Sequence, residues 1–387
     1  MSYTDPRSEP TSTEGVGTVE AVDLFCGAGG FTLGLQRAGI DVVAGVDEDL
    51  YCVIPYFRNN DAQFYRRDLS TIATENPEWV ADLYSDDTDV RVLAGGPPCQ
   101  PYSNLGNIEG VHDKTGLVSA FATIVDRVQP DIVAMENVPG VSRDPEYEGL
   151  IETFRDAGYY VNLPENRDID CLAYGVPQRR KRWITLASKI GPIEMDSPSR
   201  TEVDVDREIT AESFIGHLPA IDAGEHHPDD PLHVTQNLRK QNLDRIRISE
   251  PGGDWTDWVE KGREDLVADC HTKESGASFK APYSRMQPDK PAPTITTQFY
   301  SFGSGRFGHY DEDQLRALSL REGAILQTFP DEYQFLPPGG TVEDVGIHRI
   351  GRWIGNAVPP KLARVAGESI MRHLRGDRQS SIDEFTT

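Results

Sequence analysis

The chain has 387 residues and carries 38 basic against 63 acidic side chains, a net charge of −25 that is spread along the whole sequence. No apolar run approaches the ~20 residues of a membrane helix and no signal-peptide core stands near the N-terminus, so we expect a soluble, cytoplasmic protein that does not enter a membrane. The five cysteines are scattered, without the paired spacing of a zinc site, another metal site or a disulfide framework.

Short apolar runs alternate with helical patterns from Val19 onward, which is typical of a parallel α/β sheet. The predicted strands are 19–25, 42–46, 90–94, 131–135 and 182–187. The predicted helices are 31–38, one that follows the second strand, 117–128, 146–157 and 360–374.

The alternation is lost from residue 190 to about 284, where Pro, Gly, Trp and charged residues become frequent. We therefore predict five segments. They are a disordered tail over 1–18, an α/β domain over 19–189, a smaller mixed domain over 190–300, a return to the first domain over 301–375, and a second disordered tail over 376–387.

The turn between the first strand and the first helix has the sequence Phe25-Cys26-Gly27-Ala28-Gly29-Gly30. Glycines there let the backbone approach a ligand at the helix N-terminus. Asp47 closes the next strand about 20 residues later, where a carboxylate can accept hydrogen bonds from ribose hydroxyls. This arrangement suits NAD or S-adenosylmethionine. The spacing is G-x-G-G rather than G-x-G-x-x-G, which favours a nucleoside ligand without phosphates.

Two further strands end in residues that could carry chemistry. Cys99 follows Pro97 and Pro98 just after one strand, and prolines fix φ, so the thiol is held on a stiff loop at the ligand-binding edge of the sheet. This placement predicts a nucleophile. Glu136 ends the next strand and can face the same crevice, as an acid or hydrogen-bond donor opposite an attacking thiolate.

A basic run, Gln178-Arg179-Arg180-Lys181-Arg182, enters the last predicted strand of the sheet. The alternation of a strand places Arg180 and Arg182 on one face, where they could act together. Alternatively, this basic run is a solvent-exposed turn without a role in a site.

Taken in order, these motifs resemble those of the prokaryotic DNA (cytosine-5) methyltransferase family. The matching segments are Phe25 to Gly30, Pro97-Pro98-Cys99-Gln100, Glu136-Asn137-Val138, Gln178 to Arg182, Arg285 with Pro291 to Thr296, Arg321-Glu322 with Leu326 to Pro330, and Gly355 to Pro360. They cover nearly the whole chain outside the variable segment. One departure is Arg67-Asp68-Leu69, where the family usually has glycine before the aspartate.

The resemblance implies a Rossmann-like, S-adenosylmethionine-dependent methyltransferase sheet over 19–189 and a target-recognition domain over 190–300. It implies methyl transfer to carbon 5 of cytosine in a specific double-stranded DNA sequence, with the base flipped out of the duplex. Cys99 would add to carbon 6, Glu136 would bind ring nitrogen 3 and the amino group, and Arg180 and Arg182 would hold the base and the Glu136 carboxylate. The implied cofactor contacts are Phe25, Gly27, Gly29, Asp47, Asp68 (to the adenine amino group), Pro97, Asn356 and Val358. We expect a monomer and, as a second partner besides DNA, a cognate restriction endonuclease.

Three other functions compete with this interpretation. The tRNA-methylating branch of the same family uses the same cysteine chemistry, but it has less need of a long variable segment. A catalytically inactive DNA-binding protein would not need both Cys99 and Glu136. A nicotinamide oxidoreductase would need the pyrophosphate glycine that is missing after Gly29.

The charge is not explained by the resemblance. Segment 190–284 contains 10 basic and 20 acidic residues, whereas DNA-binding proteins usually present a basic surface. A diffuse acidic surface, with only 9 lysines in the chain, is typical of proteins in concentrated salt, where the screening length falls to ~3 Å. We interpret the chain as haloarchaeal; an acidic mesophilic protein is the alternative. The basic cluster Arg239, Lys240, Arg245 and Arg247 is the predicted site of phosphate contacts.

Overall fold

The structure is a computed structural model that describes residues 15–98, 116–163, 168–198, 209–272, 278 and 280–376. Most of the two predicted tails lies outside these ranges. The chain forms two compact units. The sheet unit takes residues from Arg7–Ile169, Lys181–Glu202 and Pro360–Thr387, and the second unit takes residues from Asp170–Arg180 and Val203–Pro359. No helix in the described ranges is long and apolar enough to cross a membrane.

The strands of the described chain are short, and most of the longer ones belong to one sheet. They are Val19–Leu24 (β1), Asp41–Asp47 (β2), Gln63–Arg66 (β3), Val90–Gly95 (β4), Ile132–Asn137 (β5), Tyr160–Val161 (β6), Ile169–Asp170 (β7), Gln178–Arg179 (β8), Lys181–Ser188 (β9), His226–His227 (β10), Asp230–Val234 (β11) and Ala292–Pro293 (β12). Eight of them form the main sheet: seven follow the order β3-β2-β1-β4-β5-β9-β6, and β7 pairs with β9 beside this path. Pairing is parallel from β3 to β5, whereas β9 is antiparallel to both β5 and β6.

The helices follow the strands in alternation through the first half of the chain. They are Gly30–Arg37 (α1), Val53–Asn59 (α2), Leu69–Glu75 (α3), Leu117–Val128 (α4), Pro145–Asp156 (α5), Ala211–Ile215 (α6), Lys240–Ile248 (α7), Trp255–Glu260 (α8), Asp269–Thr272 (α9), Leu320–Leu326 (α10), Val342–Val345 (α11), Ile347–Asn356 (α12) and Pro360–Arg375 (α13). The α/β sheet expected from the sequence is therefore confirmed, and its parallel strands place their carboxyl ends along one edge.

Helix α13 packs against α1, as its apolar periodicity predicts. The approach is close at Gly34, where a Cβ atom would stand 2.3 Å from the Cβ of Ala363 and 2.6 Å from the carbonyl oxygen of Pro360. Only glycine fits there. The last helix is thereby fixed to the helix that follows the glycine-rich turn.

The main core lies between the sheet and helices α3, α4 and α5. Phe121, Phe154 and Trp183 are buried in it, and each such side chain contributes roughly 1.5–3 kcal/mol by leaving water. Strand β3 and helix α3 are not among the predicted elements. The β3 sequence Gln-Phe-Tyr-Arg has only four residues and lies at the sheet edge, so it lacks the apolar run that marks the central strands.

The second unit has little sheet and is organised around buried polar groups. Arg285 is fully buried, and its guanidinium donates to the backbone carbonyls of Ile246, Ser249, His309, Asp311, Gln314 and Glu312 at 2.7–3.3 Å. These carbonyls come from stretches that are far apart in sequence. Because an unsatisfied buried carbonyl is costly, this one side chain joins segments that short helices alone would leave apart.

The observed division of the chain differs from the predicted segments. Residues 301–359, expected to return to the first domain, belong to the second unit, and the return begins at Pro360. Residues 190–202, expected in the recognition domain, belong to the sheet unit, and Asp170–Arg180 belong to the second unit. Asp170–Arg180 belong to the second unit because β8, within this stretch, pairs in parallel with β12 of that unit.

Candidate active site

The glycine-rich turn leaves open space at the N-terminus of α1. Phe25, Gly27 and Gly29 adopt left-handed backbone conformations with φ of 59°, 51° and 87°. A Cβ atom at Gly27 would meet no atom of the described residues within 4 Å, so none of their side chains fills the space beside Gly27. The backbone amides at the start of a helix attract negative or polar ligand atoms. The turn therefore has room for a ligand beside Gly27.

Asp47 lies at the carboxyl end of β2, next to this turn. One carboxylate oxygen accepts the Gly27 amide at 2.9 Å, and the other accepts the Asp49 amide at 2.9 Å. Burial raises the pKa of the Asp47 carboxyl, although these two backbone hydrogen bonds oppose the shift. A carboxylate has about four lone-pair positions, so two remain for hydroxyl donors. The structure thus brings Asp47 next to Gly27, and the contact of both residues with a cofactor stays a prediction.

Asp23 is a buried acid that directly precedes Leu24 and the glycine-rich turn, and the sequence predicted no role for it. It sits at the end of β1, where one oxygen accepts the Thr32 hydroxyl at 2.7 Å and the Thr32 amide at 3.1 Å. Its other oxygen has no hydrogen-bond partner among the described residues. Burial raises the pKa of Asp23 from 3.8 to about 7. The sequence feature that could have indicated this buried acid is its position inside the apolar run of β1.

Asp68 and Pro97, two further predicted cofactor contacts, differ in exposure. Asp68 is exposed and caps α3, accepting the Ser70 hydroxyl at 2.7 Å and amide at 2.9 Å, and these bonds lower its pKa. Pro97 is buried just after β4. The contact of Asp68 with an adenine amino group stays a prediction.

Glu136 and Arg182 form an ion pair at the same edge of the sheet. Arg182 Nε lies 2.6 Å from Glu136 Oε1, and the two side chains are 13% and 10% exposed. Glu136 belongs to β5 and Arg182 to β9, which are antiparallel neighbours. The pair is therefore held by two paired strands and is largely shielded from water, which strengthens the attraction between its charges.

Asn137 connects the end of β5 to the loop that follows β4. Its side-chain amide donates to the carbonyl oxygen of Pro97 at 2.8 Å, and its side-chain oxygen accepts the Val138 amide at 2.8 Å. The side chain is buried. Cys99, the predicted nucleophile, lies two residues beyond Pro97 and outside the described residues. Asn137 thus fixes the last described part of the chain that leads to Cys99.

Arg180 lies in a different environment from the one expected. It stands between β8 and β9, so the continuous alternation that placed it on one strand face with Arg182 is interrupted. Its guanidinium is 1% exposed and donates to the carbonyls of Ile295 at 2.9 Å and Gly355 at 3.1 Å. Longer bonds reach Gln327 Oε1 and the Ala357 carbonyl, both at 3.4 Å. These contacts all belong to the second unit and indicate a structural role there.

Asn356 and Val358 flank the segment that Arg180 holds. Asn356 is exposed at the end of α12, and Val358 is buried. The buried side-chain amide of Gln327 donates to the carbonyl of Ala357, which lies between them, at 2.6 Å. The backbone of this predicted cofactor segment is therefore fixed by Arg180 and Gln327.

Of the four basic residues predicted to contact phosphate, three are exposed and one is buried. Arg245 is buried, donates to the Leu266 carbonyl at 2.7 Å and stacks on Tyr283 at 4.4 Å, so its assignment as a phosphate contact is wrong. Lys240 and Arg247 are exposed, but both pair with Asp244, at 2.7 and 3.2 Å. Arg239 is exposed at the start of α7.

Residues 19–372 match the sequence profile of the family described as C-5 cytosine-specific DNA methylase. This chain belongs to that family. The methylase is 40% identical over 358 residues to the Type II methylase M.HgiDII of Herpetosiphon aurantiacus, which covers 92% of this chain and 96% of the relative. It is 32% identical to the Type II methyltransferase M1.HphI of Haemophilus parahaemolyticus, over 91% of this chain and 86% of the relative.

The fold of the methylase is also found among solved structures. It resembles a prophage-encoded Escherichia coli protein assigned as a DNA modification methyltransferase, with a TM-score of 0.61 and 21% identity over 92% of this chain and 99% of that one. The predicted family, the Rossmann-like methyltransferase sheet and the use of S-adenosylmethionine are thereby confirmed. The methylase transfers a methyl group to carbon 5 of cytosine in DNA.

Proposed function

We propose that this methylase acts through a covalent adduct between Cys99 and a cytosine flipped out of the DNA duplex. The observation that supports it most directly is the Glu136–Arg182 pair, with Nε and Oε1 2.6 Å apart. It lies on β5 and β9, and β5 is the neighbour of the strand that leads to Cys99. An acid, a cation and a cysteine-bearing loop at one sheet edge are what attack on an aromatic ring requires.

Each residue has a defined task in this reaction. The Cys99 thiolate adds to carbon 6, which makes carbon 5 nucleophilic enough to accept the methyl group. Glu136 accepts a hydrogen bond from the amino group and shares a proton with ring nitrogen 3, so that attack leaves no net negative charge on the ring. Arg182 holds the Glu136 carboxylate in place. Methyl transfer would release the demethylated cofactor as a neutral thioether. Water would then take the carbon 5 proton, and cleavage of the bond between carbon 6 and sulfur would restore the aromatic ring and release Cys99 as thiolate.

The residues around the glycine-rich turn fit S-adenosylmethionine. The cofactor supplies the methyl group as an electrophile. We assign Asp47 to the ribose hydroxyls and Phe25, Gly27 and Gly29 to the wall of the pocket, because the turn is open and Asp47 keeps free acceptor positions. Asp68, Pro97, Asn356 and Val358 complete the proposed set on the strength of their motif matches.

The second unit is the proposed target-recognition domain, and its substrate is a specific double-stranded DNA sequence. Arg239 is the exposed cation of its predicted cluster that we assign to a phosphate. Because both named relatives are Type II enzymes, we propose that a cognate restriction endonuclease accompanies this methylase, which acts as a cytoplasmic monomer. The charge of −25 further leads us to propose a halophilic enzyme.

The covalent mechanism is tested with DNA that carries 5-fluorocytosine at the target. Such a base has no carbon 5 proton to lose, so the enzyme should remain attached and give a shifted band on a denaturing gel. The band should be absent for Cys99→Ala. A band that persists in this variant would show that another residue is the nucleophile.

The division between cofactor and base contacts is tested with a pair of variants. Asp47→Ala should weaken S-adenosylmethionine binding by ~1–3 kcal/mol, the cost of charge-assisted hydrogen bonds. Glu136→Gln should lower turnover with little change in cofactor affinity. Equal loss of cofactor affinity in the two variants would contradict the assignment. Bisulfite sequencing of DNA from cells that express the chain, beside a Cys99→Ala control, would give the recognition sequence.

A further inference from the structure

A buried acid that the proposed reaction does not use lies just before the glycine-rich turn. Asp23 is the last residue but one of β1, and its side chain is 1% exposed. One carboxylate oxygen accepts the Thr32 amide at 3.1 Å and the Thr32 hydroxyl at 2.7 Å. The other oxygen has no hydrogen-bond partner among the described residues. Because a buried acceptor without a donor is costly, the unused oxygen calls for an explanation.

Asp23 supplies the cap that α1 lacks. The N-cap residue of this helix is Gly29, which has a left-handed backbone and no side chain to accept the free amides of the first turn. The Thr32 amide is one of those free amides, and Asp23 accepts it from the end of β1. A negative charge at this end of a helix also interacts favourably with the helix dipole. The contact therefore joins the residues on either side of the glycine-rich turn.

The charges that act on this turn are acidic. Burial raises the pKa of Asp23 to about 7, and the charge of Asp47 on β2 adds to the rise. Burial also raises the pKa of Asp47, and the charges of Asp49 and Glu48 add to that rise. In the described part of the chain neither Asp23 nor Asp47 forms an ion pair. The electrostatic potential beside the turn is therefore negative and favours a ligand with a positive charge.

The other titratable groups around Asp23 are not cations either. The Tyr56 hydroxyl lies 3.0 Å from the Thr32 hydroxyl that Asp23 accepts. Burial raises the pKa of the Cys26 thiol well above its ordinary value, and nearby carboxylates and the Cys52 thiol add to this rise. Strand β4, the other neighbour of β1, presents an alanine opposite Asp23. Within the described chain, a positive charge beside Asp23 is thus left for a ligand to supply.

We propose that Asp23 sets the preference of the cofactor pocket for S-adenosylmethionine over S-adenosylhomocysteine, the product that methyl transfer leaves. The two ligands differ by one methyl group and one positive charge, because the sulfonium becomes a neutral thioether. The ionised Asp23 carboxylate attracts the sulfonium charge and has no such interaction with the thioether. Its hydrogen bonds to Thr32 hold the turn equally for both ligands. The inference rests on the proposed assignment of the glycine-rich turn to the cofactor.

The test is calorimetric binding of each of the two ligands to the full chain, without DNA and without turnover. Asp23→Asn removes the charge but keeps a side-chain oxygen that can accept from Thr32. Thr32→Val removes a hydrogen bond but keeps the charge of Asp23. Glu20→Gln is the matched control, because Glu20 is a buried acid at the other end of the same strand.

At about pH 8 we expect Asp23→Asn to lower the affinity for S-adenosylmethionine about tenfold more than the affinity for S-adenosylhomocysteine. This ratio corresponds to a difference of about one in the pKa of Asp23 between the two complexes. Thr32→Val should weaken both ligands by the same factor, and Glu20→Gln should leave the ratio of the two affinities unchanged. In the unmodified enzyme this ratio should rise about tenfold between about pH 5 and pH 8, as Asp23 loses its proton, and in Asp23→Asn it should stay constant.

Equal loss of the two affinities in Asp23→Asn would overturn the proposal, since a purely structural role gives that result. A ratio independent of pH in the unmodified enzyme would overturn it as well, whether or not the variant folds. If Asp47→Ala leaves both affinities unchanged, the assignment of the turn to the cofactor is refuted instead.

Discussion

Arg182 donates through Nε to Glu136 Oε1 at 2.6 Å, across the antiparallel pair β5 and β9. The two side chains are 13% and 10% exposed, so solvent screens the pair much less than it screens a surface ion pair. Rotation of Glu136 away from Arg182 would break the bond to Nε and leave the guanidinium with its bond from Nη1 to the Lys181 carbonyl. The pair therefore holds the Glu136 carboxyl group in one position before the base enters.

Arg182→Lys should therefore reduce turnover although it keeps the positive charge. A lysine ammonium is a point charge on a flexible stem and does not hold the carboxylate in one orientation. We expect kcat to fall by about 10- to 100-fold, the equivalent of a charged hydrogen bond worth ~1.5–3 kcal/mol. The measurement is single-turnover methyl transfer, together with the dissociation constant of S-adenosylmethionine, which should not change.

The control for this variant is Arg179→Lys, the same change at an exposed position of the same basic run. It should retain nearly full activity. Arg182→Lys with unimpaired turnover, or with the same loss as Arg179→Lys, would show that the Glu136–Arg182 geometry does not contribute to catalysis.

A substitution of Arg180 should lower the free energy of unfolding, whereas a substitution of Arg182 should lower turnover. Its guanidinium bridges the carbonyls of Ile295 and Gly355, and a lysine cannot reach both. Arg180→Lys should lower the free energy of unfolding by at least about 2 kcal/mol, because it leaves buried carbonyls without donors. Urea denaturation measures this loss, with Arg179→Lys as control. Equal stability of the two variants would contradict the structural role.

The contrast between Arg180 and Arg182 shows that the sequence does not predict the contacts of every charged side chain. The motif identified both residues, but strand alternation placed them on one face, and the break between β8 and β9 sends Arg180 to the second unit. Arg245 is a similar case, since a basic cluster in the sequence does not reveal that one member is buried against Tyr283. Which partner a charged side chain finds depends on contacts between residues distant in the chain.

The sheet itself was largely predictable because its strands are buried and its helices amphipathic. Helix α4 was predicted with its observed bounds, Leu117–Val128, from an apolar periodicity that is strong and uninterrupted. The antiparallel direction of β9 was not predicted, because an apolar run reads the same in both directions. The hydrogen bond from the Gly116 amide to Glu146 was not predicted either, because an acid in the first turn of a helix gives no sign that it caps another helix.

Asp23 predicts a pH dependence of stability with a definite sign. Its pKa is about 7 in the folded protein against 3.8 for the free group, so the native state binds the proton more tightly than the unfolded state between these values. The free energy of unfolding should therefore fall as the pH rises from about 4 to about 7, by up to ~1.4 kcal/mol per pH unit, and level off above.

Asp23→Asn should remove the contribution of Asp23 to this fall in the free energy of unfolding. Chemical denaturation between about pH 5 and pH 8 gives the slope of the free energy of unfolding against pH for Asp23→Asn and for the unmodified protein. Asp89→Asn is the control, because the Asp89 carboxylate is exposed and accepts the Thr18 amide. The difference in stability between Asp23→Asn and the unmodified protein should grow up to about pH 7 and then stay constant. Parallel curves at all pH values would show that Asp23 does not titrate in this range.

Salt should act on this methylase in the opposite direction from most DNA-binding proteins, which lose affinity as counterions are released less favourably. The described surface of the second unit shows why. Several exposed cations there are paired with acids, such as Lys261 with Glu250 at 2.7 Å and Arg263 with Asp265 at 2.8 Å. At 0.1 M salt the net charge of −25 repels DNA over ~10 Å, and these cations do not offset it.

Rising salt weakens the contacts between arginine and phosphate, but it also screens the general repulsion and the self-repulsion among 63 carboxylates. Acid outnumbers base two to one over residues 190–284, so we expect screening to dominate at first. Methylation should rise from 0.1 M KCl towards molar concentrations, on the order of 1–3 M, and the melting temperature should rise in parallel. Assays of methyl transfer and thermal unfolding over this range test both effects on one preparation. Activity that falls steadily from 0.1 M in a protein that remains folded would exclude the halophilic interpretation, while the covalent mechanism would stand, because it depends on residues at the sheet edge and not on the surface charge.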